Sequence, residues 1–175
     1  DGWNLINAEG WRAPLYFEPA DGGYGQMSLR GFRPVNPAAP VTHISYFEAD
    51  AFARWAGYRL PSEFEWEHAS SGLAERGRTL GSGSIAPQPA PDEAGLTQMF
   101  GDVWEWTASA YLPYPGYKPA PGAVGEYNGK FMCNQFVLKG GSCATPDGHV
   151  RRTYRNFFYP HQRWQFTGLR IAADA

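Results

Sequence analysis

Residues 138–165, LKGGSCATPDGHVRRTYRNFFYPHQRWQ, hold no apolar repeat of helical or strand period. They carry instead a Gly-Gly turn, four arginines and Tyr154, Phe157, Phe158, Tyr159 and Trp164. A stretch of this length and composition cannot pack as a regular element, so the fold must present it as a loop pinned by its own aromatics, the usual form of a binding loop. The same bias runs through the chain. Its 21 Gly and 15 Pro interrupt regular structure, while 7 Trp, 10 Tyr and 11 Phe supply large anchors. Sparse secondary structure held by aromatic packing is the expected result.

At 175 residues with 43% hydrophobic content, the chain can bury one real core, and a single domain over 1–175 is expected. A net charge of -2 argues against nucleic-acid or anionic-membrane partners, which require a large positive surface. No apolar run approaches the roughly 20 residues of a membrane span. The start, DGWNLINAEGW, has neither an initiator Met nor a signal-peptide core and reads as mid-domain, so a fragment of a longer chain is expected. Two cysteines, Cys133 and Cys143, are too few for a disulfide scaffold and fit a reducing cytoplasm.

Two helices announce themselves. Ser45 with Glu48, ahead of Ala49, Phe52, Ala53 and Ala56 and before Gly57, is a capping box with a stop signal. Ser62 with Glu65 repeats the device and opens a helix carrying Phe64, Trp66 and Ala69. Residues 81–95, GSGSIAPQPAPDEAG, read as an exposed loop too poor in large side chains to bury anything. A second irregular stretch at 111–130 differs in being rich in Tyr, and tyrosines on a proline-stiffened loop mark a surface that meets something. Short strands are expected at 135–138 and 169–172.

The chemistry-bearing residues form few patterns. His43, His68, His149 and His161 show no HxxxH or HExxH spacing and no accompanying CxxC, so a metal site built wholly from this chain is not expected. In GDVWEW, Asp102 and Glu105 offer hard oxygen atoms that can hold a structural calcium ion; the alternative is that they satisfy buried amides or pair with arginines. Neither serine nucleophile motifs nor nucleotide-binding glycine loops occur. In the long loop, Arg151, Arg152, Arg155 and Arg163 present forks suited to carboxylates, and the neighbouring rings present faces that attract cations. A zwitterion with a carboxylate and a quaternary amine would satisfy both. The competing reading pairs the arginines with Glu63, Glu65 or Glu67 and buries the aromatics; the residues alone leave the two open.

RLPSEFEWEHAS (59–70), GDVWEWTAS (101–109), LKGGS (138–142) and FTGLRIA (166–172) resemble, in order, the signature blocks of the formylglycine-generating-enzyme or sulfatase-modifying-factor superfamily. That resemblance implies an α+β, C-type-lectin-like domain with little regular structure. Within the superfamily, PVTHISYFEADAFARWAG (40–57), GEYNGKFM (125–132), GGSCATPDGHVR and TYRNFFYPHQRWQFTGLR are most similar to the C-terminal domain of ergothioneine-biosynthesis sulfoxide synthases. Those iron enzymes use O2 to join a cysteine-type thiol to C2 of the imidazole of hercynine, a trimethylhistidine betaine. The resemblance implies Fe(II) held by an N-terminal DinB-like helical bundle outside these residues, so the chain alone is expected to be inactive.

By the same resemblance Asn156 and Tyr127 meet hercynine, Phe157 and Phe158 line the pocket, and Arg155 or Arg163 meets a substrate carboxylate. Relatives that use γ-glutamylcysteine carry Trp-Asp after the Arg-Asn pair and an arginine shortly beyond; Phe157, Phe158 and Gln162 stand here, which points to free cysteine as the thiol. Their catalytic tyrosine falls near Val124, so the resemblance implies a proton donor either in the N-terminal bundle or at Tyr127, which lies close enough to remain a candidate. Two rival readings remain, a formylglycine-type oxidase and a noncatalytic lectin-like binding module. The copper oxidases need two cysteines beyond the GGS turn, whereas only Cys143 follows Ser142.

Overall fold

The computed structural model describes residues 1–174. In chain order the elements are helix α1 (Gly2–Ala8), strands β1 (Phe17–Ala20), β2 (Gly23–Ser28) and β3 (Gly31–Pro34), helices α2 (Tyr46–Trp55) and α3 (Glu63–Ala69), strand β4 (Trp104–Ala110), helix α4 (Ala123–Phe131) and strands β5 (Phe136–Lys139), β6 (Asn156–Phe158) and β7 (Thr167–Leu169). This is the expected α+β architecture with short elements and long connections. No described helix is long and apolar enough to cross a membrane.

Local chemistry sets the two best-defined helices. The Ser45 hydroxyl accepts the Glu48 N–H, and the Glu48 carboxylate accepts the Ser45 N–H at 2.7 Å. Ser62 and Glu65 reproduce the reciprocal pair at the start of α3. Each box satisfies two otherwise orphaned amides and contributes about 1 kcal/mol to its helix. Helix α4 carries no such box and lies inside the stretch expected to be irregular; its start follows Gly122, with no side-chain cap. The β1-β2-β3 antiparallel meander was likewise not expected, because its largely exposed strands lack a buried alternating face.

The central sheet has the order β6-β5-β4-β7, with β4 antiparallel to β5 and parallel to β7. Strand β5 begins at Phe136, within one residue of expectation, whereas β7 ends at Leu169, where the strand expected at 169–172 was to begin; of that stretch beyond Leu169, Ala172 pairs with Arg59 in an isolated bridge. The core sits between this sheet and α2 and α3. Trp106, Leu138, Ile44 and Leu60 form its larger part, and Trp66, Met99 and Phe100 a second cluster. Both fully buried indoles are polar-satisfied: Trp106 Nε1 donates to the Ile44 carbonyl at 2.9 Å, and Trp66 Nε1 to Glu105 at 2.6 Å. Truncating either to Ala is expected to cost about 3–5 kcal/mol.

The Gly-Gly turn joins the long loop to this core. Gly140 has φ 94°, and a Cβ there would lie 2.6 Å from the Met99 carbonyl oxygen, so only glycine allows the approach. Gly101 N–H donates to the Gly140 carbonyl at 2.8 Å and ties the two loops together. Residues 84–89, expected to bury nothing, are half-buried instead, because Gln88 N–H and Gln98 Nε2 cap the Asp102 carboxylate from beneath.

Candidate substrate-binding site

Strand β6 decides how the long loop is displayed. It is the outer strand of the central sheet, opposing Phe136, Val137 and Leu138 of β5, and its side chains alternate between faces. Phe158 turns to the core side, edge-on to Trp164 (centroids 5.3 Å) and Trp106 (6.4 Å). Phe157 turns the other way and lies flat on Tyr111, centroids 4.1 Å apart and planes 11° from parallel. The two phenylalanines expected to line one pocket therefore occupy opposite faces of one strand.

The Phe157 face is continued by the tyrosine-rich stretch. Phe131 of α4 packs 5.7 Å from Phe157, and Tyr127 stands edge-on to Phe131 at 5.1 Å. On the other side, the Arg155 guanidinium sits 4.7 Å from the Tyr111 ring and 4.4 Å from that of Tyr114, which is itself 6.4 Å from Phe64. The result is a continuous ladder: Tyr127, Phe131, Phe157, Tyr111, Arg155, Tyr114, Phe64. Tyr127 is 57% exposed, Phe157 half-buried and Tyr111 buried, while Tyr114 and Phe64 are exposed again, so the ladder dips beneath the surface at Tyr111 and re-emerges beyond Arg155. Burial pushes the Tyr111 phenol above its ordinary range; Arg155 pulls it back, and Tyr117, Tyr127 and Glu63 add to the rise. Asn156 begins β6 and, opposite Leu138 and two residues before Phe158, turns by the same alternation to the face away from Phe157; its Oδ1 accepts the Phe157 N–H at 2.9 Å, so the expectation that Asn156 and Phe157 line one surface is corrected too.

The arginines are engaged elsewhere. Arg155 Nη2 donates to Glu63 Oε1 at 2.9 Å and Nη1 to the Leu112 carbonyl at 3.0 Å. Its Nε lies 2.8 Å from Glu63 Oε2, but the N–H points off that line and has no aligned acceptor. Arg163 donates to Glu48 at 3.1 Å and to the Ala13 carbonyl, with its guanidinium 3.8 Å from the Trp11 ring centroid. The expectation that Arg155 or Arg163 receives a substrate carboxylate is corrected accordingly: each fork already holds an internal carboxylate that a ligand would have to displace. Arg163 and Phe158 also lie away from the Tyr127–Phe157 face, so the expected site residues divide into two groups.

Asp102 and Glu105 do not form a calcium site. Asp102 accepts from Gln88 N and Gln98 Nε2, with Arg78 Nη1 at 3.7 Å. Glu105 accepts from Trp66 Nε1 at 2.6 Å and from Arg170 at 2.9 and 3.1 Å. Donors and guanidinium groups surround both carboxylates, an environment suited to structural anions and hostile to a divalent cation. Iron fits no better. No group of three or more His, Cys, Asp or Glu stands together among the described residues, and His43, His149 and His161 are each packed against aromatic rings.

Cys143 is fully buried, its thiol pushed up to about 12 by burial with Asp102 adding to the rise, whereas Cys133 is exposed. Nothing in the ladder is a poised nucleophile. What it offers is an aromatic wall with the Tyr127 phenol at its exposed end, suited to seating a cation or a planar ring. Tyr111, Tyr114 and Phe131 join the site from outside the candidate residues, the two tyrosines foreshadowed by the tyrosine richness of 111–130, and Glu63 enters as the arginine partner that the competing reading had named.

Residues 21–88 and 80–175 match the family described as the sulfatase-modifying factor enzyme 1-like domain. The chain is 35% identical over 196 residues to a hercynine oxygenase of Mycobacterium tuberculosis, covering 99% of this chain and 45% of that protein. It is 30% identical over 207 residues to a formylglycine-generating enzyme of Streptomyces coelicolor, covering 99% of this chain and 61% of that one. Among solved structures, PvdO from Pseudomonas aeruginosa has the same fold, with a TM-score of 0.63 over 96% of this chain and 74% of that one at 20% identity. The chain spans about half the length of the hercynine oxygenases it matches.

Proposed function

The chain belongs to the sulfatase-modifying factor enzyme 1-like family, and from that membership we propose that it is the substrate-holding domain of a longer oxygenase that joins a cysteine-type thiol to hercynine. The observation that carries this reading is the half-exposed run of rings from Tyr127 through Phe131 to Phe157, backed by the buried Tyr111. A trimethylammonium group is attracted to such ring faces, and an imidazole stacks on them, so the wall matches both halves of hercynine. The name and 35% identity of the mycobacterial relatives point to the same substrate.

In this reading an N-terminal DinB-like bundle elsewhere in the longer protein would hold the iron, which would supply the activation of O2. The residues of this chain bind and orient. Tyr127, Phe131 and the outer edge of Phe157 seat the betaine, Tyr111 backs Phe157 from beneath, and the Tyr127 hydroxyl stands at the exposed end where a proton can be delivered. Holding imidazole and thiol in reactive geometry is a rate contribution in its own right, because it removes the entropy of bringing them together. Free cysteine is the proposed thiol, since Phe158 packs in the core and presents no polar group to a glutamyl chain.

Replacing the exposed Tyr127 with Leu in the full-length enzyme tests the assignment. KM for hercynine is expected to rise roughly tenfold with Tm nearly unchanged. Equal loss of affinity and stability would make the residue structural. For the thiol, kcat/KM is expected to favour cysteine over γ-glutamylcysteine, and the reverse preference would reject that part of the reading. The oxidase alternative draws no support from Cys143, whose buried, protonated thiol is unsuited to hold a metal.

A further inference from the structure

Helix α3 turns two carboxylates inward, Glu63 and Glu67, one turn apart on the same face. Glu67 receives Lys139 Nζ at 2.7 Å beneath strand β5, where Lys139 is fully buried. Glu63 receives Arg155, the residue immediately before β6. We propose that Glu63 is a positioning residue for substrate binding: it holds Arg155 between Tyr111 and Tyr114 and thereby fixes the Tyr111 and Phe157 rings of the binding wall. This inference rests on the function proposed above and assigns that same site a determinant outside it.

The geometry makes Arg155 the joint of three segments. Its Nη2 reaches α3 through Glu63, its Nη1 reaches the backbone at Leu112, and its planar face fills the gap between the two tyrosine rings. Phe157, two residues along, stacks on the far partner of that sandwich. Glu63 is 3% exposed and meets the binding wall only through Arg155 and the edge of Tyr114, whose hydroxyl lies 3.5 Å from Oε2. With Glu63 neutral or absent, the Arg155 guanidinium, 11% exposed, is left without its counter-charge in a poorly hydrated site. It then relieves that cost by turning toward water past Tyr114, and Tyr111 loses the plane that keeps Phe157 flat against it. The defect falls on ground-state binding and spares the chemical step, because Glu63 touches no reacting atom.

In the full-length enzyme, Glu63→Gln is expected to raise KM for hercynine roughly tenfold while kcat stays within about twofold of wild type, the pattern of lost uniform binding. Glu63→Asp, which keeps the charge, is expected to recover most of the affinity. Glu67→Gln breaks the neighbouring buried pair on the same helix and is the matched comparison: it is expected to lower Tm without moving KM. The proposal fails if Glu63→Gln leaves KM unchanged, or if Glu67→Gln raises it equally. Should Glu63→Gln not fold, Arg155→Lys decides the matter, with the same rise in KM supporting the proposal and an unchanged KM overturning it. A wild-type enzyme that does not turn over hercynine would instead sink the functional reading and this inference with it.

Discussion

Phe157 and Tyr111 lie face to face, 4.1 Å between centroids and 11° from parallel, although one belongs to the outer strand of the sheet and the other follows the strand two places away. That single stack joins the long arginine-aromatic loop to the tyrosine-rich stretch. It is the structural event from which the binding wall follows.

The stack should be measurable without any substrate. A double-mutant cycle of Phe157→Leu and Tyr111→Leu is expected to give a coupling of about 1 kcal/mol in chemical denaturation. Independent effects of the two substitutions would mean that the rings do not stack in solution. In the full-length enzyme, Phe157→Leu is also expected to weaken hercynine binding more than it lowers Tm.

His43 gives the fold a pH dependence. The residue is 6% exposed, wedged between Tyr16 and Phe166, and its Nδ1 has no partner. Burial lowers its pKa below 6.5, with the Trp164 and Gln165 carbonyls pulling the other way. The unfolded chain takes up this proton near 6.5 and the native state resists it, so the stability is complete above 6.5 and declines as pH falls through that value toward the lower native pKa. The slope is about 1.4 kcal/mol per pH unit at most. His43→Asn, chosen because Asn accepts the positive φ of 59° at this position, should flatten the difference in denaturation free energy between pH 7.5 and 5.5. An unchanged difference would place the effect on another group.

The two cysteines should differ sharply in reactivity. At pH 8 the exposed Cys133 is expected to be alkylated by iodoacetamide in the native protein, while Cys143 reacts only after denaturation. Mass spectrometry of the modified protein separates the cases. Native double alkylation would show that the Cys143 site opens readily and would return thiol chemistry to consideration.

Calcium removal should be silent. Because Arg170 and Trp66 already satisfy Glu105, and Gln88 and Gln98 satisfy Asp102, a chelator is expected to leave Tm unchanged. A fall in Tm reversed by added calcium would return both carboxylates to the ligand set. Glu105→Gln, by contrast, is expected to lower Tm, since it removes the buried carboxylate that Trp66 Nε1 and the half-buried Arg170 both donate to.

Much of the fold could be read before any coordinate was known. Each capping box is an exchange between residues three apart, so Ser45–Glu48 and Ser62–Glu65 carry their helices wherever the chain goes. The glycine pair at 140 and 141 likewise marks its turn by conformation alone, with φ of 94° and 85°. Helix α4 was not legible: it has no cap and two glycines, and it forms where Phe131 can pack on Phe157. The site was legible in composition but not in arrangement. Arginines, phenylalanines and a tyrosine-rich stretch were visible, yet alternation along β6 sent Phe157 and Phe158 to opposite faces.

The sequence by itself determined the short capped helices, the glycine turns and an aromatic-rich loop that no regular element could absorb, because each of those depends on neighbours within a turn or two of chain. Tertiary structure alone decided which carboxylate each arginine would meet. Glu63 and Arg155 are 92 positions apart, and only the packing of α3 against the sheet brings them to 2.8 Å, because no local rule of spacing or capping acts between residues so distant along the chain.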